Sequence, residues 1–427
     1  MPDSTALNVP APPAAAPNAA PMRFQLTPEQ LKLKRRFPTV ADLRREAKRI
    51  LPNFAFEYAD GGSGGENQGI ARNNTAFDAI EMVPRYGKLV SPPPADVELF
   101  GRKYKAPLGI APVGGPNTVF PGAETYTAMA CQKAGVPYTL GLLSGIDVER
   151  AAEIAPDVLW FQLYRFARND HKIGFDLVRR AEAAGVHALM LTIDTPIRTT
   201  RSREVKSGIT TPFRLDMRLR MDALSSPQWM ASLMKNGVPK FVAFKPYMEG
   251  AQDIGAGASF MQREGGGAFT WEEVARYRDK WKKPLLIKGV LHPEDAERAV
   301  ALGLDGIVVS NHGGRQIEAL PAPIDVLPAI ARTVNKRLTI IYDSGIRSGV
   351  DVARAVALGA DAGFVGKPYL WSLGALGPKG PGHLLDILIE ELRATLGQLG
   401  CPSVADLRKV PVRHPGAYKP EDFTARG

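Results

Sequence analysis

Eight short apolar runs, separated by stretches of helical patterning, constrain this 427-residue chain more than any other feature. They are Leu108–Pro112, Tyr138–Leu142, Leu159–Tyr164, Ala188–Asp194, Pro284–Val290, Gly306–His312, Thr339–Gly345 and Ala362–Lys367. Runs of this length, rich in branched aliphatics and alternating with helices, read as βα units on a parallel sheet. The clearest intervening helices are Glu124–Ala134, Phe175–Ala184, Pro293–Leu302 and Val350–Leu358. Gly135, Gly185, Gly303 and Gly359 stand at their ends, and glycine accepts the left-handed exit from a helix. Eight units predict an α/β fold, a closed (β/α)8 TIM barrel; a doubly wound open sheet is the alternative.

N-terminal helices precede the barrel. Thr27 can cap a helix starting at Pro28, with Gln30 three residues on. A second helix is expected over Val40–Ile50 and a third over Phe54–Asp60, stopped by the glycine-rich run Gly61–Gly65. Residues 1–22, rich in Ala and Pro with Asp3 as their one charged side chain, read as a disordered tail, and 23–427 as the barrel domain. The segment lacks the basic start and unbroken apolar run of a secretory signal.

One connection is long: about 90 residues, Thr195 to Lys283, lie between the fourth and fifth runs, a length usual only in functional or mobile loops. It carries Met217, Met221, Trp229, Met230, Leu233 and Met234 among Arg and Lys. It reads as packing over the barrel mouth, with the stretch 207–248 as a candidate for peripheral contact with a membrane. The chain has no apolar run long enough to span one. Its 54 basic and 44 acidic residues give +10, which suits an acidic protein partner, an anionic surface or a phosphate cofactor. The basic residues are dispersed, without zinc-finger spacing or an RNA-binding aromatic motif, so no nucleic-acid partner is expected. Cys131 and Cys401 fit neither a disulfide framework nor a metal-ligand pattern; a reducing, cytoplasmic setting is expected, and no metal site.

The runs end in polar residues where a barrel carries its chemistry. Gln162 and Tyr164, Thr192 and Asp194, Lys288, Ser310 with Asn311 and His312, and Asp343 follow one another around the expected mouth. Strand alternation pairs Gln162 with Tyr164, Thr192 with Asp194 and Ser310 with His312. One polar strand end can be a satisfied core group; five in succession point to a site. The last two runs, with Asp343-Ser344-Gly345-Ile346-Arg347 and Gly366-Lys367, place backbone N–H groups beside cations, as a phosphate nest requires. In Ser310–Arg315, His312 can take a proton near neutrality and Arg315 offers a fork matched to a carboxylate. Asp194 is placed to hold the imidazole. Lys288 suits either a Schiff base or a fixed cation beside an electron-rich ring.

Taken together, these residues resemble the FMN-dependent 2-hydroxy-acid oxidase and dehydrogenase family, which includes glycolate oxidase, lactate oxidase and mandelate dehydrogenase. The likeness runs from about Pro38 to Asp406. It rests on Leu51–Tyr58 (L-P-x-x-x-x-x-Y), Ile110–Pro112, Phe161–Tyr164, Leu191–Pro196, Lys288–Val290, Ser310–Gln316 and Asp343–Arg347. The resemblance implies an FMN enzyme that oxidises a small, lactate-like L-2-hydroxy acid to the 2-keto acid. His312 would be the base, Asp194 its partner, and flavin N5 the electron acceptor. Arg315 and Tyr58 would bind the substrate carboxylate, Tyr164 its oxygen, and Arg201 would be a second arginine. Pro112, Val113 and Gly114 would run beside the flavin. Gln162, Thr192, Lys288 and Ser310 would hold its ring. Asp343 would meet the ribityl chain, and Ser344, Gly345, Arg347, Gly366 and Lys367 would form the phosphate cradle.

The chain departs from the family pattern at four positions. Gly141 replaces a serine, so any flavin contact there comes from backbone. Leu143 replaces an aromatic residue of the substrate pocket. Lys367 replaces an arginine, and Ser344 a glycine. Gly114, where many oxidases have Ala, implies a dehydrogenase over an oxidase. Reoxidation by a quinone, a cytochrome or oxygen, a homo-oligomeric (tetrameric) state and a place at the inner face of a membrane belong to the same expectation. An FMN-dependent isomerase, a Schiff-base aldolase and a non-enzymatic barrel remain as alternatives.

Overall fold

The computed structural model describes residues 27–87, 93–197, 199–209, 217–249 and 254–424; the expected tail lies outside them. Eight parallel strands close into a barrel. They are β1 (Leu108–Ile110), β2 (Tyr138–Gly141), β3 (Leu159–Leu163), β4 (Ala188–Thr192), β5 (Leu285–Val290), β6 (Gly306–Val309), β7 (Thr339–Asp343) and β8 (Ala362–Val365). β8 returns to pair with β1. Every residue of β3 and β4 is buried. Burial on both faces explains why the sequence shows continuous apolar runs rather than alternation.

Aromatic rings fill the barrel. Phe364 on β8 meets Trp160 on β3, with ring centroids 5.2 Å apart. A Cβ at Gly109 would fall 2.5 Å from the Phe364 ring, so β1 carries glycine where that ring lies. An antiparallel hairpin, Val97–Leu99 with Arg102–Tyr104, plugs the N-terminal end. Its Tyr104 hydroxyl accepts from Trp160 Nε1 at 3.0 Å and lies 2.8 Å from His187 Nδ1. Polar side chains are thereby left to the opposite, C-terminal end.

The N-terminal helices form at Pro28–Arg36, Val40–Ile50 and Asn53–Asp60. Thr27 with Gln30, and Thr39 with Asp42, make reciprocal capping boxes. The second helix packs closely on Lys367–Leu376: a Cβ at Gly374 would fall 2.5 Å from Leu51. Buried Asp60 pairs with Arg44 at 2.6 Å and with Arg203 at 2.9 Å, tying these helices to the connection after β4.

That connection, read from sequence as one loop over 195–283, is largely helical. It holds Ser202–Lys206, Met217–Leu224, Pro227–Asn236, a 3-10 turn at Val242–Tyr247, and Ile254–Glu264. Trp271–Lys280 is then the ordinary barrel helix before β5. Trp229 Nε1 donates to the Val119 carbonyl at 3.1 Å and Ser232 Oγ to that of Pro121 at 2.8 Å, fastening the insertion over the loop that follows β1. The helix expected at Phe175–Ala184 instead spans Arg168–Ala183. Its first turn is interrupted by Asn169, Asp170 and His171, all with positive φ.

Candidate active site

A cavity of about 620 Å³ opens at the C-terminal end of the barrel. Its wall includes Tyr58, Pro112, Val113, Gly114, Tyr164, Arg201, Lys288, His312, Arg315, Asp343, Ser344, Gly345, Arg347, Gly366 and Lys367. The remaining candidates stand just behind it. Asp194 backs His312, Gln162 donates to Thr192 Oγ1 at 2.8 Å, and Ser310 accepts from Lys288 Nζ at 3.1 Å. A Cβ at Gly141 would fall 2.6 Å from the Val113 carbonyl oxygen, so glycine there lets the β1 loop press onto β2.

Several of these residues lie beyond their strands. β3 stops at Leu163, β4 at Thr192 and β6 at Val309. The alternation expected for Ser310 and His312 therefore does not apply: His312 has φ +59° and its N–H donates to Ser310 Oγ at 3.0 Å. This turn aims the imidazole at Asp194, whose carboxylate oxygens lie 3.0 and 3.2 Å from Nδ1. Nδ1–H donates to that carboxylate, leaving Nε2 as the basic nitrogen. Burial pulls the His312 pKa below the ordinary histidine value; Asp194 opposes this, while Lys288 and Arg201 reinforce it. Burial acts to raise the Asp194 pKa, but His312 and Lys288 outweigh it and hold the carboxyl below its usual range. The pair is thus a neutral imidazole against a carboxylate.

Lys288 is buried, with Asp343 Oδ2 3.5 Å from its Nζ. Burial alone would neutralise it, yet Asp343 and Asp194 more than offset that, and it stays cationic. A hydrogen-bonded ammonium between carboxylates is a fixed charge and a poor nucleophile. Tyr164 is kept protonated by burial and can donate. The Tyr58 hydroxyl donates to the Gly114 carbonyl.

Arg315 Nη1 donates to the carbonyls of Tyr58 at 2.9 Å and Gly61 at 3.1 Å, and its guanidinium lies over the Tyr58 ring. Its other arm pairs with Glu204, whose Oε1 is also 3.5 Å from Arg201 Nη1. Glu204, buried between two arginines, is a site residue that the sequence reading passed over. Its signal was an acidic residue three positions after Arg201. Gln316, which donates to the Asp194 carbonyl, was passed over too.

The far end of the cavity is cationic. Burial pulls Arg347 down to about 10 and Lys367 well below the ordinary lysine value. Among the described residues neither has a carboxylate partner: Lys367 Nζ donates to the Gly313 carbonyl at 3.2 Å and Arg347 Nη1 to that of Ile346 at 2.8 Å. Lys367 also begins a ten-residue helix that no side chain caps. Two cations on the cavity wall, Lys367 buried and Arg347 partly so, together fit a phosphate. Ser344 Oγ accepts from Gly313 N at 2.9 Å and so joins this end to the His312 turn. Among the described residues no cluster of His, Cys, Asp or Glu is arranged to hold a metal ion.

A family model described as FMN-dependent dehydrogenase matches residues 47–414. The L-lactate dehydrogenase of Pectobacterium atrosepticum is 36% identical over 367 residues, covering 86% of this chain and 94% of that protein. The 4-hydroxymandelate oxidase of Amycolatopsis orientalis is 37% identical over 374 residues, covering 88% and 98%. Among solved structures, the monotopic membrane protein (S)-mandelate dehydrogenase superposes with a TM-score of 0.82 at 30% identity. A mandelate oxidase does so with 0.75 at 35%. Each covers 88% of this chain and 99% of its own.

Proposed function

This chain belongs to the FMN-dependent dehydrogenase family and is an oxidoreductase of 2-hydroxy acids, and from that premise we propose that it converts a small L-2-hydroxy acid such as lactate to the 2-keto acid with His312 as the base. The observation that carries this reading is a neutral imidazole, paired at 3.0 Å with Asp194, in one cavity with Arg315, Arg201, Arg347 and Lys367. Bound FMN supplies the two-electron acceptor. Arg347, Lys367, Ser344, Gly345 and Gly366 would hold its phosphate, Asp343 its ribityl chain, and Lys288 with Pro112, Val113 and Gly114 its ring.

The residues around the substrate divide the remaining work. Arg315 and Arg201 attract the carboxylate, with Tyr58 beside them. Tyr164 donates to the substrate oxygen. His312 Nε2 takes one proton, from Cα or from the hydroxyl, and Asp194 stabilises the imidazolium that results. The Schiff-base alternative is disfavoured by the fixed charge on Lys288, and the isomerase alternative by the family to which the chain belongs. Purified protein should be yellow and should bleach anaerobically with L-2-hydroxy acids. His312→Gln should keep the bound flavin and slow that bleaching by about 10²–10⁴-fold; undiminished reduction by this variant would remove the base assignment.

A membrane-associated acceptor, quinone or cytochrome, fits the insertion better than oxygen does. Met217, Met221, Leu224 and Met234 are exposed there, interleaved with exposed Arg218, Arg220 and Lys235. Apolar side chains ringed by cations suit an anionic lipid surface. Among the described residues no helix is long and apolar enough to cross a membrane. Sedimentation with anionic vesicles, lost in a Met217→Ser/Met221→Ser/Met234→Ser variant, is expected. Sedimentation unaffected by those changes would count against this face. Light scattering on the purified enzyme would test the expected homo-tetramer.

A further inference from the structure

Past the carboxylate grip and the cofactor cradle, the cavity has a third wall, supplied by the insertion between β4 and β5. It consists of Ile209, Phe241, Ala258 and Met261, with Gln262 as its polar member, and it meets Leu143, two residues beyond β2. Every charged side chain described on the cavity wall belongs to the other two regions. Phe241 stands close to the carboxylate grip. Its ring and the Tyr58 hydroxyl both lie within 3.6 Å of the point where Gly115 would carry a Cβ. The next residue, Val242, donates its N–H to the Ser144 carbonyl at 2.9 Å, which joins Phe241 to the segment bearing Leu143. Helix Ile254–Glu264 closes on the ring from above: a Cβ at Gly257 would fall 2.7 Å from it. One helical turn on from Gly257 and Ala258 stands Met261, an adaptable apolar side chain.

We propose that this wall is the subsite for the substrate's side chain, that the preferred substrate is an L-2-hydroxy acid bearing a bulky apolar group, aryl or branched aliphatic, and that Phe241, Met261 and Leu143 set this preference. The inference rests on the reaction proposed above and shifts its preferred substrate from a small, lactate-like acid to a bulkier one. A methyl group covers little of such a wall, whereas each further buried methylene is worth about fourfold. A charged side chain meets no partner on the wall and is refused.

The test is a series of kcat/KM values for the flavin-loaded enzyme with an artificial electron acceptor, on L-lactate, L-2-hydroxyisocaproate, L-mandelate, L-3-phenyllactate and L-malate. The best bulky acid should exceed lactate by tenfold or more, with malate last. Phe241→Ala and Met261→Ala should each reduce the bulky-to-lactate ratio by about tenfold. The gentler Phe241→Leu should reduce it less, and retained flavin absorbance checks the fold of all three. Binding gives a second measure in the unaltered enzyme: phenylacetate should perturb the flavin spectrum at a tenfold lower concentration than acetate. Lactate matching or exceeding the bulky acids, or a ratio unmoved by the variants, would overturn the proposal and leave the reaction class standing. Flavin that no acid on the panel bleaches, lactate included, would overturn the reaction class itself.

Discussion

At the scale of single residues, the chemistry depends on who neighbours whom. His312 is pulled below the ordinary histidine range of about 6.5 by burial, and Asp194 partly restores it. Only the neutral imidazole can accept a proton, so kcat/KM should fall as pH drops through a value below 6.5. Asp194→Asn removes the neighbour that most raises that pKa. The acid limb should then move to lower pH, while the plateau falls because the imidazolium loses its stabiliser. A pH profile of each protein checks both parts, and a limb moving upward would contradict the electrostatics. Glu204 offsets half of the charge of Arg315 and Arg201 and leaves a net positive charge there. Without it, two partly buried guanidinium groups would repel one another more strongly.

At the scale of elements, the plug beneath the barrel has its own titration. His187 Nε2–H donates to the Phe100 carbonyl at 3.2 Å, so Nδ1 accepts from Tyr104, and burial first among the causes pushes its pKa down to about 4. A group depressed on folding favours the folded state above its unfolded pKa, and that contribution is lost as pH falls. Melting temperature should therefore decline between about pH 6.5 and 4, and less steeply in His187→Gln. Elements with strong local signals were legible in the sequence: the capping pair Thr27 and Gln30 marked the first helix, and the buried strands announced themselves as apolar runs. The insertion was not legible, because its helices are short and owe their place to distant carbonyls such as those of Val119 and Pro121. The site was legible as a set of residue types. Its geometry was not, since the positive φ of His312 is a tertiary consequence that period-two alternation cannot express.

At the scale of the molecule, the cofactor and the fold support one another. Arg347 and Lys367 face one cavity, among the described residues neither forms a salt bridge, and FMN phosphate would relieve their mutual repulsion. Removing FMN should lower the melting temperature by several degrees. FMN should restore it progressively, with the logarithm of its concentration once above Kd, and riboflavin, lacking the phosphate, should restore much less. Equal rescue by riboflavin would place the binding energy elsewhere. The helices ahead of the first strand share in this design. Tyr58 stands on the cavity wall, and the Tyr58 and Gly61 carbonyls hold Arg315 in place. A minimal version excised to begin just after Gly61 would retain all eight strands and every loop between them, yet Arg315 would lose both carbonyl contacts and be left leaning on Glu204.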